Sequence, residues 1–200
     1  MSDDIKLFDR WETEGIKVND PGLVGYVNLK PVLVPRSGGR HAKAQFYKSK
    51  LNIVERLINR LFVAGHKGRK HKFTSGQNVG KTFTATKIVV DAFEIIEKNM
   101  KTNPVEVLVR AIENSAPIEE VTTFRRGGMT SREGVVTSPQ RRVDLALRHM
   151  TQGTYASSVK SPKPAAQCLA DEILNAYKND MKSKAVSERQ RREKEAHGAR

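Results

Sequence analysis

The stretch Asn103–Val136, NPVEVLVRAIENSAPIEEVTTFRRGGMTSREGVV, is the part of the sequence that most clearly indicates a fold. Its first half predicts a helix, because Asn103 can cap an N-terminus and Pro104 suits the first helical turn. Apolar residues then recur with helical spacing at Val105, Leu108, Val109 and Ile112. The segment from Asn114 to Pro117 is expected to end this helix.

A β-hairpin is predicted directly after the helix. Two extended runs, Ile118–Arg126 and Thr130–Thr137, flank Gly127-Gly128-Met129, and paired glycines accept positive φ at low steric cost. An isolated two-stranded ribbon is only marginally stable in water. Two interpretations therefore stay open: an arm that reaches for a partner, or an ordinary exposed hairpin with solubilising arginines. The arginines near its tip are Arg125, Arg126 and Arg132.

The composition indicates a polyanionic partner. Lys and Arg number 36 against 22 Asp and Glu, which gives a formal net charge of +14 over 200 residues. Nucleic acid is the commonest soluble polyanion, and acidic lipid is the rival. No uninterrupted apolar run reaches membrane length, and the beginning, MSDDIKLFDR, lacks the order of a signal peptide. The lone Cys168 fits a reducing compartment and is expected to be a small buried hydrophobe.

Residues 36–72 hold most of the net positive charge, with eleven Lys or Arg against one Glu. Within this block the apolar spacing predicts a core helix over Lys50–Ala64. Phe46 and Tyr47 are interleaved with the cations and can stack on bases. The off-stripe cations Lys48, Lys50, Arg56 and Arg60 would then meet phosphate. A solvated cationic face is the alternative.

The remaining segments complete a mainly α prediction. A helix is expected over about Thr82–Met100, with Glu94 paired to Lys98 at i,i+4. Ser138-Pro139 opens another helix, and Ala165–Tyr177 forms the next. Short strand-like pieces are expected between Gly22 and Pro35. The tail Lys182–Arg200 has almost no apolar face, and on its own it should be frayed or disordered.

The expected fold is a bundle of about five to six helices, with a protruding two-stranded β-hairpin arm between the third and fourth helices and flexible basic termini. The expected division is a partly irregular N-terminal extension over 1–39, and a helical domain over 40–181 with its arm at 118–137. A basic tail or helix follows over 182–200. Trp11 and Ile16 are candidates to anchor the extension.

Two apparent sites fail on their spacing or ligands. GQNVGKT at Gly76–Thr82 looks like a phosphate-binding loop, but three residues separate its glycines where that motif needs four. His66 and His71 lie among lysines and arginines and lack further soft ligands for zinc. We therefore expect no catalytic site, no cofactor and no metal.

Several blocks together resemble the small-subunit ribosomal protein seven family, in its archaeal and eukaryotic type. The hairpin segment already quoted is followed by SPQRRVDLALRHM. KSKLNIVERLINRLFVAGHKG resembles the family's first helix, GKTFTATKIVVDAFEIIEKN its second and CLADEILNAYKND its fifth. The resemblance covers roughly residues 40–200, and the order and spacing of blocks carry more weight than any one motif.

The resemblance implies a non-enzymatic protein of the cytoplasmic ribosome. It would bind the 3′ major domain of 16S-type rRNA and start assembly of the subunit head, with its arm near the exit-site tRNA and the mRNA exit path. It also implies contacts with small-subunit proteins nine and eleven and other head proteins. By position, the rRNA-binding residues would be Arg40, Lys43, Lys48, Lys50, Arg69, Lys70, Lys72, Arg141 and Arg142. On the arm tip, near tRNA and mRNA, they would be Arg125, Arg126 and Arg132.

Two rivals from other classes remain. A nonribosomal nucleic-acid-binding protein, such as a chromatin protein or repressor, would bind duplex DNA as well as rRNA. An RNA-modifying or nucleotide-using enzyme would need a donor pocket, which Gly76–Thr82 does not supply.

Overall fold

A computed structural model describes residues 5–66 and 78–200, with the backbone alone at Arg126. Two short 3-10 turns, Arg40–Lys43 and Tyr47–Lys50, precede the first helix. The helices and strands that follow are α1 (Ile53–Leu61), α2 (Thr82–Met100), α3 (Pro104–Ser115), β1 (Glu119–Arg126), β2 (Met129–Val136), α4 (Pro139–Ser158), α5 (Ala165–Tyr177) and α6 (Lys184–His197). The predicted mainly α fold, with a hairpin between the third and fourth helices, is confirmed.

The hydrophobic core lies where α5 meets α2, α3 and α4. Each of these helices turns an apolar face inward, and the largest fully buried side chains are all apolar. They include Phe93, Leu108, Ile112, Met150, Leu169 and Ile173. Cys168 is also buried on α5, as its apolar neighbours predict, and burial raises the pKa of its thiol.

The third helix and the hairpin follow their local sequence signals. Asn103 caps α3, its side-chain oxygen accepting a hydrogen bond from the Val105 amide at 3.0 Å. The antiparallel register pairs Arg126 with Met129, so the loop contains only Gly127 and Gly128, with φ of +54° and +82°. Met129 was expected in the loop but begins β2, because two glycines at positive φ are enough to close the turn.

The helix in the basic block is shorter than predicted. Asn52 accepts a hydrogen bond from the Val54 amide at 2.9 Å and caps α1, so the helix begins at Ile53 and not at Lys50. The preceding 3-10 turn takes Tyr47–Lys50 instead. Lys48 and Lys50 therefore project from a turn rather than from a helix face.

The N-terminal extension packs on the bundle through Trp11. Its ring meets Phe93 edge-on, with centroids 5.4 Å apart, and its indole N–H donates to Glu97 at 3.0 Å. Glu94 pairs with Arg10, so the predicted Glu94–Lys98 pair is replaced by a contact to the extension. The carboxylates of Glu94 and Glu97 therefore hold the N-terminal segment. Residue spacing within α2 does not predict this contact, because the partners lie outside the helix.

The stretch from Gly22 to Pro35 differs from its prediction as strand-like pieces. It consists mainly of turns that bury Leu23 and Val27, with a parallel bridge between Asn28 and Asn52. Asn28 donates to the Lys50 carbonyl, and Asn52 donates to the Lys30 carbonyl at 3.1 Å. The extension is thus attached to the start of α1.

Of the two forms expected for residues 182–200, a basic tail or a helix, the structure shows the helix, since residues 184–197 form α6. Ala185, Val186 and Ala196 are fully buried against the rest of the chain, where α6 packs on α4 and β1. Glu172 of α5 accepts hydrogen bonds from the Ser183 hydroxyl at 2.8 Å and the Ala185 amide at 3.0 Å. Packing within the chain supplies the stability that the polar helix lacks alone. None of the described helices is long and apolar enough to cross a membrane.

Candidate nucleic-acid interface

An open groove of about 660 Å³ lies between the 3-10 turns and α1 on one side and α4 on the other. Its wall combines apolar and neutral polar residues with five Lys or Arg side chains and one carboxylate. The wall includes Phe46, Lys48, Arg56, Arg60, Asp144 and Arg148.

The carboxylate of the groove is already neutralised. Asp144 forms one ion pair with Lys48 and a second, at 3.0 Å, with Arg56. Arg56 also donates to the Tyr26 carbonyl at 2.9 Å and is only 6% exposed. Arg56 therefore ties the N-terminal extension to α4, and it does not present the free cation that its position off the apolar stripe suggested.

Two other arginines line the same groove without an ion-pair partner. In the part of the chain that the structure describes, Arg60 of α1 and Arg148 of α4 form no ion pair. The pKa of Arg60 lies below its ordinary value, first because the side chain is partly desolvated and then because Arg148 repels its charge. Asp144 offsets this only in part. An anion placed between the two guanidinium groups would relieve both their repulsion and their lack of partners.

The adjacent aromatic residues Phe46 and Tyr47 differ in their availability. Phe46 lines the groove, is 66% exposed and has a φ of +65°. The Tyr47 ring is covered on one face by the Lys50 ammonium, 4.3 Å from its centroid. Phe46 is thus the aromatic ring in this block that is open to a partner from the groove.

The candidate rRNA-binding residues from the sequence fall in different environments. Arg40 and Lys43 are exposed on the first 3-10 turn, and Lys48 and Lys50 are exposed on the second. Arg142 is 9% exposed and pairs with Asp20 at 2.6 Å, so its charge is used inside the protein. Arg69, Lys70 and Lys72 lie outside the described residues.

Arg141 is exposed but engaged at the base of the arm. It contacts both carboxylate oxygens of Glu120, at 2.5 and 2.8 Å. This hydrogen bonding raises the pKa of Arg141. The pair fixes the start of α4 to β1. The charge of Arg141 is therefore already paired with an acid of its own chain.

The charges of the arm are divided between its base and its tip. At the base, Glu120 also pairs with Arg192 of α6 at 3.6 Å, Glu119 pairs with Arg200, and Glu193 accepts from the Ile118 amide at 3.1 Å. Near the tip, Arg125 and Arg132 are exposed. The register pairs Thr123 with Arg132 and Arg125 with Thr130, which places both arginines on one face.

A second, smaller basic pocket of about 270 Å³ lies between α4 and α6. His149 at its wall is 6% exposed, and its pKa is lowered to about 4, chiefly because burial disfavours the charged ring. Arg192 and Arg148 lower the pKa of His149 further, while Glu188 and Gln152 act in the opposite direction. The histidine is therefore neutral at physiological pH.

The sequence predicts that Arg60 meets phosphate but does not single out Arg148, and it does not predict that the two line one groove. Arg60 is on α1 and Arg148 on α4, so only the tertiary packing brings them to one groove. The exposure of Phe46, by contrast, agrees with a local signal, an aromatic residue within a cationic run. Among the described residues, no cluster of His, Cys, Asp and Glu suits a metal ion.

These features define a basic, mainly helical protein with a cationic groove and a projecting arm, suited to a polyanion. The profile of the family described as ribosomal protein S7p/S5e matches residues 25–200. The chain is 52% identical over 196 residues to small ribosomal subunit protein uS7 of Nanoarchaeum equitans, covering 98% of this chain and 99% of the relative. It is 46% identical to the protein of the same name from Methanococcus aeolicus, over 98% of this chain and 100% of the relative.

The chain belongs to the ribosomal protein S7p/S5e family. The resemblance read from the sequence blocks is thereby confirmed, including its archaeal type. Members of this family are structural, non-enzymatic proteins of the small ribosomal subunit. The chain is accordingly a structural ribosomal protein and not an enzyme.

Proposed function

We propose that the chain binds the 3′ major domain of small-subunit rRNA and begins assembly of the subunit head. The observation that carries this proposal is the pair Arg60 and Arg148, which line the groove and form no ion pair among the described residues, while Asp144 is already neutralised. Phosphate contacts of this kind position a protein on RNA, and RNA shape with unpaired bases supplies specificity.

The exposed cations of the 3-10 turns extend the same surface. Arg40, Lys43, Lys48 and Lys50 lie on the chain segment that forms one wall of the groove or continues from it. We propose that Arg40, Lys43 and Lys50 add phosphate contacts around the central pair, and that Lys48 joins them by exchanging its Asp144 partner for a phosphate. Arg69, Lys70 and Lys72 are proposed as further rRNA contacts from the resemblance alone. Arg142 supports the surface indirectly, because its pair with Asp20 fixes the extension to α4.

The arm has a second proposed role, near the exit-site tRNA and the mRNA exit path. Arg125 and Arg132 share one exposed face near the tip, and the base is fixed to α4 and α6 by ion pairs. A ribbon fixed at its base can hold cations well away from the bundle. Small-subunit proteins nine and eleven and other head proteins are proposed neighbours, and the exposed Phe124 and Met129 offer apolar contacts on the arm.

We also propose that the chain works as three parts: an extension over 1–39, an rRNA-binding domain over 40–181 and a C-terminal segment over 182–200. The contacts of Trp11 with α2 and of Asn28 with Lys50 support an extension that braces the binding surface. The contacts of α6 with β1 support a C-terminal segment that braces the arm.

The test is binding of the full chain to a transcript of the 3′ major domain at two salt concentrations, with excess nonspecific duplex DNA. We expect tight binding that survives the DNA and weakens steeply with salt, because many phosphates are neutralised. Binding that the DNA abolishes would contradict the proposal, because the affinity would then reflect generic positive charge and not recognition of the rRNA. Binding that does not depend on salt would contradict the assignment of the cationic groove.

A further inference from the structure

We infer that the groove holds one unpaired rRNA nucleotide, with its base stacked on Phe46 and a neighbouring phosphate between Arg60 and Arg148. The inference rests on the proposed rRNA binding and specifies what the groove itself recognises. The ligand is a single-stranded or looped-out segment, because a base inside a duplex has no free face for an aromatic ring.

The backbone at Phe46 adopts a conformation that is unusual for an aromatic residue. Its φ of +65° and ψ of 1° place a bulky residue in the left-handed region, which such side chains rarely occupy. Its carbonyl accepts from the Ser49 amide at 3.1 Å and so starts the second 3-10 turn. Strained backbone of this kind concentrates at functional sites. Here it directs an aromatic ring away from the core, where the ring stays 66% exposed.

Tyr47, next to Phe46, is less open to a stacking base. Lys50 already covers one face of the Tyr47 ring, so a base stacking there would have to displace a cation. No such contact competes at Phe46 within the described residues, and Phe46 lines the groove whereas Tyr47 does not. The two adjacent aromatics are therefore assigned different roles: Phe46 receives the base, and Tyr47 holds Lys50.

The groove also contains positive charge that no acid of the described residues pairs with. Arg60 and Arg148 lack counterions, while Lys48 and Arg56 are both used by Asp144. A phosphate between the two free guanidinium groups would form charge-assisted hydrogen bonds to each. The groove of about 660 Å³ lies within the range of sites that enclose small ligands, so a nucleotide fits beside Phe46.

The test compares Phe46→Leu, Phe46→Trp and Phe83→Leu in the full chain, using the 3′ major-domain transcript. Leucine removes the ring and keeps a bulky residue at the same φ, while tryptophan restores an aromatic surface. Phe83 is the matched control, because it is 84% exposed at the start of α2 and does not line the groove. Thermal melting checks that all three variants fold.

We expect Phe46→Leu to weaken binding about tenfold, as for the loss of one stacked base, and Phe46→Trp to retain wild-type affinity. Phe83→Leu should bind as the wild type does. The salt dependence should stay unchanged in Phe46→Leu, because stacking releases no counterions, and should become shallower in Arg60→Gln. Ultraviolet crosslinking of the wild-type complex should join a base to the peptide that contains Phe46.

Two results separate the failure of this inference from failure of the proposed function. If the wild-type chain binds the transcript specifically, but Phe46→Leu binds equally well and Phe46 yields no crosslink, the stacking site is wrong and rRNA binding stands. If the wild-type chain shows no preference for the transcript over duplex DNA, the proposed function itself fails. Equal losses in Phe46→Leu and Phe83→Leu would also overturn the inference, since any exposed phenylalanine would then behave alike.

Discussion

Gly134 in the second strand of the arm lies directly against the backbone of Ala196 near the end of α6. A Cβ added at Gly134 would be 2.6 Å from the Ala196 carbonyl oxygen, closer than real Cβ contacts allow. Ala196 is fully buried by this approach. The arm and the C-terminal helix are therefore fitted together at a position where only glycine leaves enough room.

Gly134→Ala is predicted to destabilise the docking of α6 on the arm. The clash is with backbone, which cannot move aside as a flexible side chain can, so we expect a loss of roughly 1–3 kcal/mol in the free energy of unfolding. Chemical denaturation measures this loss. Gly25→Ala is the control, because a Cβ there meets nothing within 4 Å and its φ is not positive. Equal stability of the two variants would show that α6 does not pack on the arm as described.

The arginines at the arm tip are predicted to contribute to binding and not to the stability of the fold. Arg125→Ala combined with Arg132→Ala should leave the melting temperature unchanged, because both side chains are exposed near the tip. The same double variant should weaken binding to ribosomal particles that carry exit-site tRNA. Glu120→Ala is the contrasting change at the base, where it would release Arg141 and Arg192 and lower the melting temperature. Unfolding of the tip variant would contradict the arm interpretation.

His149 is predicted to make the protein less stable in acid. Its pKa is about 4 in the folded chain against an ordinary value of 6.5, so the unfolded chain binds the proton first. The stability due to neutral His149 is complete above pH 6.5 and is lost as the pH falls towards about 4, up to roughly 3 kcal/mol. Burial is the main cause of this window; Arg192 and Arg148 near the ring widen it, while Glu188 and Gln152 narrow it.

Denaturation of the wild type and of His149→Gln between pH 7 and pH 4 measures this effect. We expect the variant to lose much less stability over that interval, because glutamine does not titrate. His197→Gln, which changes an exposed histidine on α6, should keep the wild-type slope. A slope that is the same in His149→Gln and wild type would contradict the assignment.

Glu172 is predicted to stabilise α6 through its acceptor oxygens and not through its charge. Burial is the largest influence on its carboxyl and raises its pKa, although the Ala185 amide and Ser183 hydroxyl act in the opposite direction. A raised pKa in the folded chain means that stability from this group is complete below the ordinary pKa of 4.5 and declines as the pH rises through the folded value.

Glu172→Gln should therefore be at least as stable as the wild type at neutral pH, because an amide oxygen still accepts both hydrogen bonds without a buried charge. Glu172→Ala should lose about 2 kcal/mol, since two buried donors would lack an acceptor. Thermal and chemical unfolding of the two variants decide between these cases. An equal loss in both would mean that the charge itself is needed.

The sequence predicts those elements whose signals are local. Asn103 and Pro104 predict the start of α3, and Gly127 with Gly128 predicts the hairpin turn, because capping and turn formation depend on neighbouring residues. The C-terminal helix is different. Its few apolar residues, Ala185, Val186 and Ala196, become informative only when β1 and α4 are in place to cover them.

The candidate site shows the same limit. The cationic block and Phe46 are visible in the sequence, but which cations remain free is decided by tertiary pairing. Arg142 was a candidate and is used by Asp20, whereas Arg60 and Arg148 stay without counterions. Asp20 lies far from Arg142 along the chain, and Arg60 lies far from Arg148, so spacing alone carries no information about which cations are paired.

The salt dependence of rRNA binding tests the central claim most directly. The measurement compares two double variants. One carries Arg60→Gln and Arg148→Gln, and the control carries Lys87→Gln and Lys98→Gln. Both changes remove two positive charges, but the control lysines are exposed on α2 and do not line the groove. We predict that the groove variant lowers the slope of log affinity against log salt by about 1 to 2, while the control keeps the wild-type slope. Equal slopes in the two variants would show that only net charge matters and would contradict a binding site in the groove.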